Sequence, residues 1–120
     1  TIDRDPGRRQ FGARNHIVDD VANLRRHFRE DYFGFVLMNG VFGWGLNWKD
    51  SIEKAFDAVR AVLAPGGIFV LGWNDTPDLV PVPLDQIQAL KSFTPYHFAP
   101  LGGTCFKCQT GEHTYSFYLK

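Results

Sequence analysis

The sequence is poor in cysteine, balanced in charge and free of long apolar runs, and each scarcity excludes something. Two cysteines cannot staple a disulfide-dense secreted scaffold, so a reducing, cytoplasmic setting is expected. Thirteen basic residues cancel thirteen acidic ones. A chain without net charge has no general electrostatic affinity for nucleic acid or for an anionic membrane. No apolar run approaches the roughly 20 residues that a membrane helix needs; the longest, 67–73, is strand-sized. Nothing at the start reads as a secretory signal. The chain opens at Thr1 rather than Met, as a processed or truncated piece of a longer chain would. The glycines never fall into G-x-G-x-x-G, and no Lys-Ser/Thr follows Pro65-Gly66-Gly67. Neither a dinucleotide fingerprint nor a phosphate-binding P-loop is therefore present.

What is abundant is aromatic surface. Eleven Phe, four Tyr and three Trp mean that much of the core must be phenylalanine. A length of 120 residues provides one domain, 1–120, around one core.

Along the chain the pattern alternates. Residues 1–15 read as the end of a strand and then a loop or short helix, with Arg4, Arg8, Arg9 and Arg14 on a solvated face offset by Asp3 and Asp5. His16-Ile17-Val18 is a short strand ending in Asp19-Asp20. Val21, Leu24 and Phe28 make a weak helical stripe that Asp20 can cap. The near-continuous apolar run 33–38 predicts a strand buried on both faces, as in a parallel sheet. A glycine-rich aromatic loop, 39–45, follows it.

The best helix signal comes next. Ile52, Ala55, Phe56, Val59, Val62 and Leu63 share one face, Asn47 can cap the helix with Asp50 three residues on, and Pro65-Gly66-Gly67 stops it. Residues 68–73 form a second buried strand. Strand, helix and strand predict a parallel, right-handed crossover and an α/β sandwich with helices on both faces of the sheet. Residues 84–93 predict a further helix, with Leu84, Ile87 and Leu90 three apart. Two strands, 104–109 and 113–119, predict an antiparallel hairpin around Thr110-Gly111-Glu112.

These elements and their local text resemble the S-adenosylmethionine-dependent methyltransferases with a Rossmann-like seven-stranded sheet. Residues 58–71 (AVRAVLAPGGIFVL) are similar to that family's helix, R-x-L-x-P-G-G and strand. Residues 33–45 (FGFVLMNGVFGWG) are similar to its fourth strand and the following loop. Residues 16–24 (HIVDDVANL) resemble its third strand and adenine-contacting turn, and residues 1–6 (TIDRDP) the end of its second strand. The resemblance covers nearly the whole chain but not the whole family, because the first strand and its G-x-G-x-G loop have no counterpart. It implies a three-layer α/β sandwich, mainly parallel with an antiparallel C-terminal hairpin: a truncated Rossmann-like methyltransferase fold. The absent strand is central in the family's sheet. Without it, the second and fourth strands are expected to close up directly, or the chain to form a homodimer through its exposed sheet edges.

The resemblance also implies site roles toward S-adenosylmethionine. Asp3 would accept hydrogen bonds from the ribose hydroxyls, as an acceptor-only carboxylate can; otherwise it is a turn acid. Asp20 would accept from the adenine amino group, with Val21 donating a backbone N–H; otherwise Asp20 is a helix cap, and Asp19 competes for the same role. Asn39 and Gly40 lie where the methyl is transferred, with the Asn39 carbonyl facing the cofactor's amino group. Asn39-Gly40-Val41-Phe42 is not the Asn-Pro-Pro-Tyr of the subgroup acting on amide or ring nitrogens, so the Asn39 side chain carries no assigned role. The substrate is expected to be a small molecule, with no nucleic acid and no membrane as partner. In the intact parent the cofactor would bind; the isolated chain, lacking the glycine loop, is expected to bind it weakly at best. A non-catalytic scaffold or interaction module is the alternative.

A sulfonium is already activated, so methyl transfer asks mainly for alignment, and a base only where the acceptor must lose a proton. No catalytic group is assigned. His97 and His113 are conceivable bases, against a plainer reading as surface or hairpin histidines. Trp44 and Trp48 either pack on a ligand or fill the core beneath the following helix. Cys105-Phe106-Lys107-Cys108 sits in a strand rather than at a helix N-terminus and lacks the paired spacing of a zinc knuckle, so two reduced cysteines are expected and no metal.

Overall fold

A computed structural model describes residues 1–109 and 111–120. The strands and helices run in the order β1 (Ile2–Asp3), β2 (Ile17–Val18), α1 (Leu24–His27), β3 (Phe33–Asn39), α2 (Lys49–Val62), β4 (Leu63–Asn74), β5 (Thr94–Pro95), β6 (Cys105–Lys107) and β7 (His113–Leu119). Short 3-10 turns fill most of the connections. The fold is α/β, as expected, and its sheet is mixed. β3 and β4 pair in parallel, flanking α2, and β7 pairs antiparallel with β4, β5 and β6. β6 and β7 are the expected hairpin; Thr110 in its turn lies outside the described residues.

The predicted face of α2 is the centre of the core. Ile52, Ala55, Phe56, Val59, Val62 and Leu63 are each 1% exposed or less. The 3.6-residue repeat puts the first five on one side of α2, Leu63 is buried instead as the first residue of β4, and burial of each large side chain contributes about 1.5–3 kcal/mol. Phe56 stacks at 6.3 Å on Phe42 and meets Phe69 edge-on at 5.8 Å. Phe69 continues to Phe93 at 5.3 Å and to Tyr118 at 5.9 Å. The aromatic excess is therefore largely core, and burial among these rings raises the Tyr118 hydroxyl's pKa.

Several expectations need correction. Asn47 does not cap α2. Its Oδ1 turns back to accept the Gly45 N–H at 3.4 Å, and Trp48 occupies the cap position with no side-chain bond. Residues 84–93 form two 3-10 turns, Leu84–Gln86 and Ala89–Ser92, rather than one helix. A spacing of three matches the 3-10 period and not 3.6. The Glu53 carboxylate on α2 takes the N–H groups of Gln88 and Ala89 at 2.9 and 2.7 Å, which starts the second turn locally. The helix already ends at Val62, ahead of Pro65-Gly66-Gly67, and that segment lies inside β4 with Gly66 at φ +71°, where the β3–β4 register slips between Phe33 and Phe35 to absorb the extra residues.

The largest correction concerns β3. Its run is not buried on both faces: Met38 is covered, while Phe35 and Leu37 are 55% and 52% exposed. The cause lies in the topology. β1 and β2 form a separate parallel pair, joined by Ile17 N–H to Thr1 O at 2.9 Å and Asp19 N–H to Asp3 O at 3.1 Å. This pair does not close onto β3. A cavity of about 1010 Å³ lies between them, lined by Ile2 and Asp3 on one side and by Phe35, Leu37 and Asn39 on the other. No helix among the described residues is long and apolar enough to cross a membrane.

Candidate functional site

The site lies at the carboxyl ends of β1, β2 and β3, where open α/β sheets hold their ligands. Asp3 ends β1. Its Oδ1 accepts the Asp5 N–H at 2.8 Å, which fixes the turn and leaves the other oxygen free of that turn. Asp20 follows β2. Its Oδ1 accepts the Ala22 N–H at 2.8 Å, so Asp20 is the cap of the turn Val21–Asn23, and its Oδ2 lies 3.7 Å from the Arg4 guanidinium. Asn39 and Gly40 end β3, with Gly40 at φ +66°.

These residues converge. Asp3, Asp20, Val21 and Gly40 line one cavity of about 70 Å³. Asp3, Val21, Asn39 and Gly40 line the adjoining gap between β1 and β3. Asp20 opens onto the smaller cavity only. Asp19, the competing residue, also borders it, but its oxygens are committed: Oδ2 meets His27 Nε2 at 2.7 Å, and Oδ1 accepts from Asn23 and from the Asp20 N–H. The His27 hydrogen bond, then the Asn23 one, hold the Asp19 carboxyl at a pKa of about 2. That carboxylate is a structural anchor for the turn, and Asp20 is the better ligand candidate.

Two residues with plainer sequence readings belong to the site. Arg4 is not merely a solvated charge: its guanidinium lies between Asp20 and the Gly45 carbonyl, donating to the latter at 3.0 Å. Trp44 is 60% exposed and lines both cavities, so it does not fill the core. Trp48, 79% exposed, is not in the core either.

A polar cluster adjoins the β3 end of the gap, which it borders through Asn39 alone. His113, the first residue of β7, faces Asn74 Oδ1 at the end of β4 through Nδ1 and Asn39 Oδ1 through Nε2, each at 2.9 Å. Gly72 makes this possible: a Cβ there would overlap Asn39 Oδ1 and lie 3.1 Å from His113 Nε2. Tyr115 packs edge-on against the imidazole at 4.8 Å. His97, the other histidine considered as a base, is exposed and lines neither cavity. The sequence signal for this cluster was only the histidine itself, because its partners lie 39 and 74 positions away.

No family model matches the chain, and no curated protein matches it. Solved structures do. N-methyltransferase NodS from Bradyrhizobium japonicum WM9, in complex with S-adenosyl-L-homocysteine, superposes over 99% of this chain with a TM-score of 0.70 at 18% identity, and the chain covers 64% of it. A second NodS structure gives a TM-score of 0.67 at 18% identity, with 71% of it covered. The TehB-like S-adenosylmethionine-dependent methyltransferase from Corynebacterium glutamicum gives 0.67 at 16% identity, again over 99% of this chain and 66% of that one. The chain therefore has the Rossmann-like fold of these methyltransferases and spans about two-thirds of their length.

Proposed function

We propose that the chain carries the adenosine-binding side and the acceptor side of an S-adenosylmethionine-dependent methyltransferase site acting on a small molecule. The convergence of Asp3, Asp20, Val21 and Gly40 on one cavity at the strand ends carries this reading. The donor set suits an adenosine group. Two carboxylates, each with acceptor capacity beyond its present bond, flank the cavity, and hydroxyl or amino groups need such acceptors. The larger gap next to it supplies the volume, since small-molecule sites run to about 300–1,000 Å³.

S-adenosylmethionine supplies an activated methyl group on a sulfonium. The chain's own residues do the rest. Asp3 accepts from the ribose hydroxyls, Asp20 from the adenine amino group, and the Val21 N–H donates to the ring. The Arg4 guanidinium, now beside Asp20, moves aside to admit the base. Gly40 keeps the strand end open, for nothing lies within 4 Å of where its side chain would begin.

Isothermal titration with S-adenosylhomocysteine tests the reading. Weak, saturable binding that disappears in Asp3→Ala and Asp20→Ala is expected. One observation favours a second reading, a scaffold or interaction module without cofactor: the 70 Å³ cavity, with Arg4 in its wall, is too small for a nucleoside as it stands. Absence of binding at millimolar ligand would establish that alternative.

A further inference from the structure

The geometry points to His113 as the catalytic residue that takes the proton from an O–H or N–H methyl acceptor bound at the carboxyl ends of β3 and β4, with Asn74 as its positioning residue. The inference rests on the methyl-transfer reading.

Both ring nitrogens of His113 face amide oxygens, at 2.9 Å each. A neutral imidazole carries one proton and can donate to one of them only. The two sides are unequal. The Nδ1–Asn74 contact is partly buried, whereas the Nε2–Asn39 contact is exposed and Asn39 borders the gap. The Nδ1–H therefore stays on Asn74, which fixes the tautomer and the ring plane. Nε2 is left with its lone pair toward the Asn39 amide, which stands between it and the gap. A base held by an orienting group on its far nitrogen is the arrangement that proton abstraction needs.

The exposed Asn39 amide then has two ways to meet that lone pair. It turns its NH2 to Nε2 in the free protein, or yields the place to the acceptor. As the acceptor's lone pair takes the methyl carbon and the S–CH3 electrons return to sulfur, the acceptor's proton passes to Nε2. The single positive charge moves from sulfonium to imidazolium. The titratable groups around the ring are Tyr115 and Cys108 on its own hairpin, Glu112 beside it, and Asp75 next to Asn74, the last paired with Lys107 of β6 at 3.2 Å. None of these is within hydrogen-bonding reach of Nε2 among the described contacts; its one partner there is the Asn39 amide, the group the acceptor displaces.

Two measurements on the full chain test this. Nitrogen-15 NMR of the imidazole reads the tautomer without turnover. The wild type should show the Nδ1–H form, Asn74→Ala should shift it toward Nε2–H, and Gly72→Ala, whose Cβ would press on the Asn39 amide and on Nε2 but not on Asn74, should move the Nε2 signal while the Nδ1–H form persists. An Nε2–H wild type, or signals unchanged in both variants, overturns the assignment. Methyl transfer at saturating S-adenosylmethionine to a primary amine, a phenol and an aliphatic alcohol is then followed against pH. The rate should rise about tenfold per unit on its acid limb and fall by about a hundredfold or more in His113→Gln, with the limb lost. S-adenosylhomocysteine affinity should stay as in the wild type. Loss of that affinity in the wild type would refute the methyl-transfer reading itself. Binding with unchanged rates in His113→Gln, or binding without transfer to any of the three acceptors, would refute the role of His113 alone.

Discussion

Two glycines in the loop after β3 separate backbone strain from steric contact. Gly40 and Gly43 both adopt the left-handed region, at φ +66° and +80°. A Cβ at Gly40 would meet nothing within 4 Å. At Gly43 it would overlap the Leu79 carbonyl oxygen and sit 3.0 Å from that carbonyl carbon, both backbone atoms. Alanine at either position costs about 1–2 kcal/mol for the left-handed conformation. Stiffening of the unfolded chain returns about 0.4–1 kcal/mol of that. Gly40→Ala should therefore lose no more than about 1.5 kcal/mol. Gly43→Ala adds overpacking, typically about 1–3 kcal/mol, because a backbone carbonyl cannot rotate away as a side chain can. Urea unfolding followed by tryptophan fluorescence gives both losses on one scale. With a slope of about 1–3 kcal/mol per molar urea, the two midpoints should stand apart by roughly 1 M. Equal losses in the two variants would mean that the loop moves freely against Leu79, and the packing of this wall of the site would have to be redrawn.

Two further outcomes are expected. Asp19, held near a pKa of about 2 by His27, contributes stability that is fully present above its unfolded value near 3.8 and is lost as pH falls through 2; His27→Ala should return the Asp19 titration, read by carbon-13 NMR of its carboxyl, toward 3.8, and an unmoved curve would assign the depression to Asn23 instead. The free edge of β3, with Phe35 and Leu37 exposed, predicts self-association through a second copy; light scattering should show mass rising with concentration and Leu37→Lys abolishing the rise, whereas a monomer at high concentration with an ordinary thermal transition would refute it.

What could be read from the residues was local. The face of α2 was legible because its repeat is set within three turns of one helix, and every position assigned to it is buried. The strand ends were legible for the same reason, since Asp20 follows an apolar run and is followed by a short helical stripe. Two errors have one origin. Leu84, Ile87 and Leu90 carry a period of three, which belongs to the 3-10 turn and only approximates an α-helical face, and the contact that starts the second turn, Glu53 on the N–H groups of Gln88 and Ala89, comes from more than 30 residues away. The run 33–38 looks doubly buried because apolar text records what a strand is suited to face, and not whether a neighbour is there.

The same limit divides the site in two. Asp3, Asp20, Val21, Asn39 and Gly40 were named through the family resemblance, which puts them at or just after strand ends, and the ends of the separate parallel pairs β1–β2 and β3–β4 meet around the two cavities. His113 could not be named that way. It begins an antiparallel strand, so its N-terminal end, and not its carboxyl end, reaches the side where the parallel strands finish. The register sets Asn39 across from Gly72 and Tyr115, and Asn74 across from His113 two residues further along, so that Asn39 and His113 meet diagonally over Gly72. Glycine at position 72 lies between the two side chains, and its missing Cβ leaves room for the contact. An antiparallel strand inserted beside parallel ones thus delivers its first residue to the edge where the parallel strands finish, and in this chain that residue is a histidine.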